Sequence, residues 1–179
     1  MQIKKLFQRR LEPEPWKGLA SGLIGGLVAS WSMTQLQNAW QKLSESRQSG
    51  NGKDRKLQTD EQAPATIQTA EAVSESVFDH ELTKPEKEKA GPAVHYAFGT
   101  TMGGLYGVAA EFEPRVAMGN GIPFGAALFV GADEIAVPAF GLSKPPTKVP
   151  LSKHVYGLAS HLFYGLVADT VRSMVRRRL

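Results

Sequence analysis

The chain has 179 residues, a formal charge of +4 and no cysteine, which fits one small domain and excludes disulfides and thiolate metal sites. The excess of Lys and Arg sits at the two ends with no nucleic-acid-binding module beside it, so it points to anionic lipid headgroups and away from nucleic acid. The mean hydropathy of −0.23 looks soluble only because a long hydrophilic stretch is averaged with several apolar ones.

Residues 1–15 read as a basic amphipathic N-terminal segment. Ile3, Leu6, Phe7 and Leu11 fall on one side and Lys4, Lys5, Arg9 and Arg10 on the other, which suits a helix in the membrane interface or a merely basic tail. Pro13 and Pro15 break it before Trp16, an interface anchor. Residues 16–41 are the first expected transmembrane helix. Its uncharged run, Gly18 to Gln41, has 24 residues, where about 20 cross the hydrocarbon. Val28-Ala29 is a weak signal-cleavage site with no clean A-x-A, which favours a retained span. Gly18, Gly22, Gly26 and Ser30 form a small-residue stripe along which another helix can approach closely.

Residues 42–90 change to Ser, Glu, Lys, Gln and Gly and read as a hydrophilic, largely disordered loop. Within it Ile67, Ala70, Val73, Val77 and Phe78 have helical spacing, either a short amphipathic helix or a transient one in a linker. His80 reads as a solvated side chain. Residues 91–171 should form a three-helix transmembrane region. Ala90 to Ala110 is uncharged, repeats Gly99, Gly103 and Gly107, and carries His95 and Tyr106 on the face of Gly99; Glu111, Glu113 and Pro114 end it. Ala117 to Leu142 continues the small-residue theme with Gly121 and Gly125, and Pro123 and Pro138 predict kinks or ends.

Asp133 and Glu134 lie inside that third span. Each acid costs about 2.5–3.5 kcal/mol at a helix centre, while the large apolar residues together return about 4 kcal/mol. The span therefore needs protonated acids, a polar partner or a place nearer the interface; alternatively it ends at Ala132 and Ile135–Leu142 forms a re-entrant turn. A stiff loop, Ser143 to Lys153, leads to the fourth span, Leu151 to Val171, and a basic tail, residues 172–179. On that last helix His154, His161, Gly165 and Ala168 share a face, with Tyr164 and Asp169 at its edges. Ionisable groups inside a bilayer turn inward and find partners.

Sliding the chain by 58 residues sets 97–111 on 155–169, matching Gly99 with Gly157, Gly107 with Gly165, Tyr106 with Tyr164 and Glu111 with Asp169. A shift of 99 sets 21–26 on 120–125 more weakly. A duplicated two-helix hairpin explains both. Four spans put both termini on one side, and the tight basic clusters there make that side cytoplasmic.

At A-V-H-Y-A-F-G-T-T-M-G-G-L-Y-G-V-A-A-E-F-E-P and L-S-K-H-V-Y-G-L-A-S-H-L-F-Y-G the chain resembles a bacterial inner-membrane family, the YagU-like proteins, largely a domain of unknown function. The resemblance implies a multi-pass inner-membrane protein and supplies no substrate, cofactor or catalytic residue. The expected fold class is all-α, a polytopic membrane helical bundle of four transmembrane helices.

The candidate intramembrane polar site is His95, Glu111, Asp133, Glu134, His154, His161 and Asp169. Three readings of it compete. The polar groups fix helix packing in a structural or accessory, partner-binding subunit. Alternatively they make a proton- or ion-linked transport or sensing site, for which His161 and Asp169 are the leading pair. The third reading is haem or metal, although His154 and His161, two turns apart, cannot chelate one ion as an i,i+4 pair does. No G-x-S-x-G, H-E-x-x-H or P-loop is present, so neither an enzyme nor a cofactor is expected. The glycine stripes also suit a homo-oligomer or a membrane-protein partner.

Overall fold

The structure, a computed structural model, describes residues 13–48 and 64–179. The amphipathic reading of residues 1–11 and the centre of the hydrophilic loop, residues 49–63, lie outside these. Among the described residues every regular element is a helix. Helix α1 (Pro15–Gln48) opens on a proline, whose missing N–H falls where no helical bond is due. Helix α2 (Ala65–Phe78) stops at Asp79, whose φ of 50° is left-handed. Helix α3 (Lys84–Phe112) is held at its start by Glu86, whose carboxylate accepts from both the amide and the hydroxyl of Thr83 at 2.7 Å.

A short 3-10 turn (Pro114–Ala117) leads to α4 (Ile122–Leu128), which runs on through a π-helical segment (Phe129–Ala136) into a last α turn (Val137–Ala139). Pro123 therefore starts a helix and Pro138 stands near its end. The helical run passes Ala132 without a break, which replaces the expected alternative of a re-entrant turn. After a second 3-10 turn (Pro146–Lys148), α5 (Leu151–Arg176) closes the chain.

Of the expected loop 42–90, the described residues 42–48 and 64–90 are mostly helical. Helix α1 reaches Gln48, α2 fills 65–78 and α3 begins at Lys84. Helix α2 packs on α3: its Ile67 lies on Gly91, its Ala70 is buried, its Glu71 pairs with Lys87, and Ser74 donates to the His80 carbonyl at 2.7 Å. Ala, Glu and Gln are good helix formers, which favours a helix in this stretch. The His80 ring, rather than being only solvated, faces Glu86 at 3.3 Å.

Helix α1 packs against α3 and α5, and α4 packs against α5. Glycine sets how closely. A Cβ on Gly22 would strike the carbonyl oxygen of Gly103, and one on Gly26 that of Gly99; one on Gly107 would strike that of Gly18. On the other pair, Gly121 and Gly165 lie against each other's carbonyls and Gly125 lies on that of His161. Between the pairs, Gly25 admits Ala168 and Arg172 of α5. The stripes are thus filled by the chain's own helices, so they are not free for another copy.

Burial along these helices is mixed: Ala29, Met33, Tyr164 and Ala168 form an apolar cluster, and polar residues are sealed in beside it while large apolar ones lie outside. Ser21, Ser30 and Ser160 are at most 1% exposed, and His161, Asp169 and Arg172 are buried, while Leu19, Ile24, Leu27, Trp31, Leu105, Val130 and Val155 are 42–59% exposed. Among the described residues one stretch, Ile122–Ala139, is long and apolar enough to cross a membrane, and little of it is buried. Four such stretches are expected from the sequence. Helices α1, α3 and α5 fall short on average composition because the faces they turn inward are Gly, Ser, His and Tyr, which dilute their apolar outer faces.

Candidate functional site

The polar side chains of the interior stack in three tiers, and α5 contributes to each. At the end where α1 begins and α3 and α5 finish, Arg176 binds Glu111 at 2.5 and 3.0 Å and Glu14 at 3.2 Å. Glu111 also accepts the Glu14 amide at 3.1 Å, and Lys17 pairs with Glu14 at 2.8 Å. This clasp sets the starts and ends of three helices at one end of the bundle. Arg176 holds the Glu111 carboxyl below the usual carboxylate range against a desolvation that would raise it, and Lys17 does the same for Glu14. Glu111 in turn raises the Arg176 guanidinium.

One turn further in, Arg172 is bonded to Asp169 at 2.6 and 3.0 Å, both buried. The guanidinium lies 5.5 Å over the ring of Tyr106, which stacks on Phe124 with centroids 4.2 Å apart. The Tyr106 hydroxyl is buried without a hydrogen bond. Deeper still, the Tyr164 hydroxyl donates to the Gly99 carbonyl at 2.5 Å, tying α5 to α3. The Ser30 hydroxyl, also unbonded, fills the space a side chain on Gly99 would need.

The third tier is the seam of α4 and α5. His161 Nδ1 donates to the Gly157 carbonyl at 2.9 Å and faces Asp133 Oδ2 at 3.7 Å. His95 of α3 reaches the Ser30 carbonyl of α1 at 3.4 Å. His154 Nδ1 lies 2.6 Å from Glu134 Oε1, and its Nε2 lies 3.1 Å from the Pro146 carbonyl. Two adjacent carboxylates thus face two histidines seven positions apart. The π-helical segment that carries them, with its wider turn, is the local backbone that presents both to α5; such segments recur at functional sites.

The seven expected site residues fall into separate groups. Asp133, on an exposed position, faces His161; Glu134 meets His154, His95 reaches the Ser30 carbonyl, Glu111 joins the clasp and Asp169 joins Arg172. His161 and Asp169, the expected leading pair, have different partners. Among the described residues no three His, Asp or Glu side chains converge as a metal ion would need. Arg172, Arg176, Lys17 and Glu14 belong to the polar interior, although sequence reasoning assigned those cations to lipid headgroups. The i,i+3 spacing of Asp169 with Arg172 and of Glu14 with Lys17 is the signal that identifies them.

Residues 73–170 match the model of a family described as "Protein of unknown function (DUF1440)". The match starts inside α2 and ends inside α5, so α1, which fills the glycine face of α3, lies ahead of it. No curated protein and no solved structure matches the chain.

Proposed function

The chain belongs to the DUF1440 family of proteins of unknown function, and from that premise we propose that it is a multi-pass inner-membrane bundle, YagU-like, acting as a structural or accessory subunit and not as an enzyme. The exposed apolar surface carries the reading: Leu, Ile, Val and Trp cover the outside, while serines, an Asp–Arg pair and a histidine are sealed inside beside a small apolar cluster. A bilayer favours that arrangement and water opposes it. The four spans lie within helices α1, α3, the α4 run and α5, with Glu86, Glu111 and Arg176 beyond their ends; the clasp of Glu14, Glu111 and Arg176, at one end of the bundle, supports a topology with both termini on one side. That side is cytoplasmic by its basic residues. The free cations there for anionic lipid are fewer than the composition suggests, because Lys17, Arg172 and Arg176 are bound to carboxylates.

Two similar hairpins, α1 with α3 and α4 with α5, underlie the bundle. Gly18 contacts Gly107 and Glu111, as Gly121 contacts Gly165 and Asp169; Gly22 lies on Gly103, as Gly125 lies on His161; Gly26 lies on Gly99, as Phe129 lies on Gly157. The partners in α3 and α5 differ by 58 throughout. Those in α1 and α4 differ by 103, one helical turn from the shift of 99 read from the sequence.

Washing membranes with carbonate and salt tests the reading. The protein is expected to stay in the pellet, and release as a folded monomer overturns it. Since the chain lacks cysteine, single substitutions map its sidedness. Ser143→Cys and Ser46→Cys are expected to react with an impermeant thiol reagent from outside intact cells, and Arg115→Cys is not.

A second reading, proton-linked sensing, is favoured by one observation: Asp133 and Glu134 face His161 and His154 across the α4–α5 seam.

A further inference from the structure

The Glu134 Oε1 and His154 Nδ1 atoms are 2.6 Å apart, and the Pro146 carbonyl oxygen is 3.1 Å from His154 Nε2. A carbonyl only accepts, so Nε2 carries a hydrogen. A carboxylate oxygen and a bare imine nitrogen repel at hydrogen-bond distance, so a second proton lies between Glu134 and Nδ1, whichever of the two holds it. The ring therefore joins three pieces of chain only while this extra proton is bound: α5, the π-helical segment, and the 3-10 turn of the loop between them.

From this geometry we infer that Glu134 and His154 form a proton-binding clamp that holds the Pro146–Lys148 turn against the bundle and releases it when the proton leaves. The neutral ring has one N–H. If it stays on Nε2, the carboxylate must leave Nδ1; if it moves to Nδ1, the bond to Pro146 is lost. The charge-assisted bond to the Glu134 carboxylate is the stronger of the two, so the single N–H goes to Nδ1 and the Pro146 contact is the one that breaks. The groups facing His154 are few. Glu134 comes from the π-helical segment, and the backbone of Pro146 and Val149 comes from the loop. Lys148 and Lys153 flank the ring in sequence and are exposed. Asp133, beside Glu134, faces His161 instead. Both clamp side chains keep 23% of their surface exposed and His154 is the fourth residue of α5, beside the loop, so the proton exchanges at this end of the bundle and not at its centre. By the proposed topology that end is on the outer face of the membrane, opposite the termini. The clamp deepens the sensing reading and names its ligand, the proton.

The experiment places a nitroxide on Thr147→Cys, an exposed position in the turn, in the full chain reconstituted in lipid nanodiscs. The label is attached at one pH, and its line shape is read from about pH 5.5, where imidazole is charged and carboxyls are ionised, to about pH 9. The turn is expected to be immobilised at the acidic end and to gain a mobile component at the alkaline end. His154→Phe keeps the ring and removes both donors, so it is expected to be mobile throughout. Glu134→Gln supplies its own N–H to Nδ1, so it is expected to stay immobilised throughout. Asp133→Asn is expected to titrate like the unaltered chain. A line shape that does not change with pH in the unaltered protein overturns the clamp, as does a Glu134→Gln variant that still titrates. Neither result bears on membrane insertion, which the carbonate wash decides separately.

Discussion

In the α1/α3 hairpin the backbones touch along three successive glycine steps, Gly18 to Gly107, Gly22 to Gly103 and Gly26 to Gly99. In the α4/α5 hairpin they touch along two, and then Phe129 stands where the third glycine would be and the helices are joined by side chains. Along these glycine steps the first pair is held by van der Waals contact, which does not titrate; its titratable contacts are Glu111 with the Glu14 amide at one end and His95 with the Ser30 carbonyl further along. The second is held beyond Phe129 by His161 with Asp133 and His154 with Glu134. The difference teaches that one similar framework can be a rigid strut on one side and a chemically adjustable joint on the other.

The comparison can be broken most sharply at the contact between the hairpins. Arg172→Ala leaves Asp169 buried and unpaired, an error that typically costs about 3–5 kcal/mol; thermal unfolding of the reconstituted protein is expected to drop accordingly. A drop no larger than that of an exposed control such as Arg177→Ala would remove the pair from the structural account. Next comes glycine. Gly103→Leu forces a side chain into the backbone of Gly22 and Gly26, and overpacking of this kind costs about 1–3 kcal/mol or more. Gly131→Ala, in the adjustable hairpin, meets no atom within 4 Å. It is expected to be neutral or stabilising by up to about 1 kcal/mol through helix propensity. Equal losses in these two variants would erase the distinction between strut and joint.

The smallest effects concern acid. Lys17 and Arg176 depress the carboxyls of Glu14 and Glu111. Their contribution is therefore complete above the ordinary carboxylate range and is lost as the pH falls through the depressed values. The fluorescence of Trp16, which has the Lys17 ammonium 5.4 Å from its ring, is expected to change only at pH below about 4.5. The Thr83 hydroxyl and amide hold Glu86 at about 2, so amide protection at the start of α3 is expected to outlast the clasp on acidification. Loss of both together at higher pH would refute these assignments.

Much of the architecture is legible before any coordinates. The every-fourth-residue glycines name the faces that meet, and the match of 97–111 with 155–169 relates α3 to α5, the helices in equivalent places of the two proposed hairpins. The partners of the polar residues are less legible. Periodicity put His161 and Asp169 near one face of α5, but Asp169 has an arginine three positions away and His161 has a carboxylate on another helix. An angle of 100° per residue is not a guide to Asp133 and Glu134, because the backbone there is π-helical. The order in 65–90 is hidden as well, since it depends on Ile67 fitting over Gly91, a contact between segments that composition averages away.

The wide turn at Phe129–Ala136 has one more consequence. A π turn holds one residue more than an α turn, because its hydrogen bonds reach one residue further along the chain. Winding Phe129–Ala136 as an ordinary α-helix of the same length would rotate everything after it onto another face, and Glu134 would point away from His154 although neither side chain had been altered. The wide turn thus sets what the loop beyond it is fastened to.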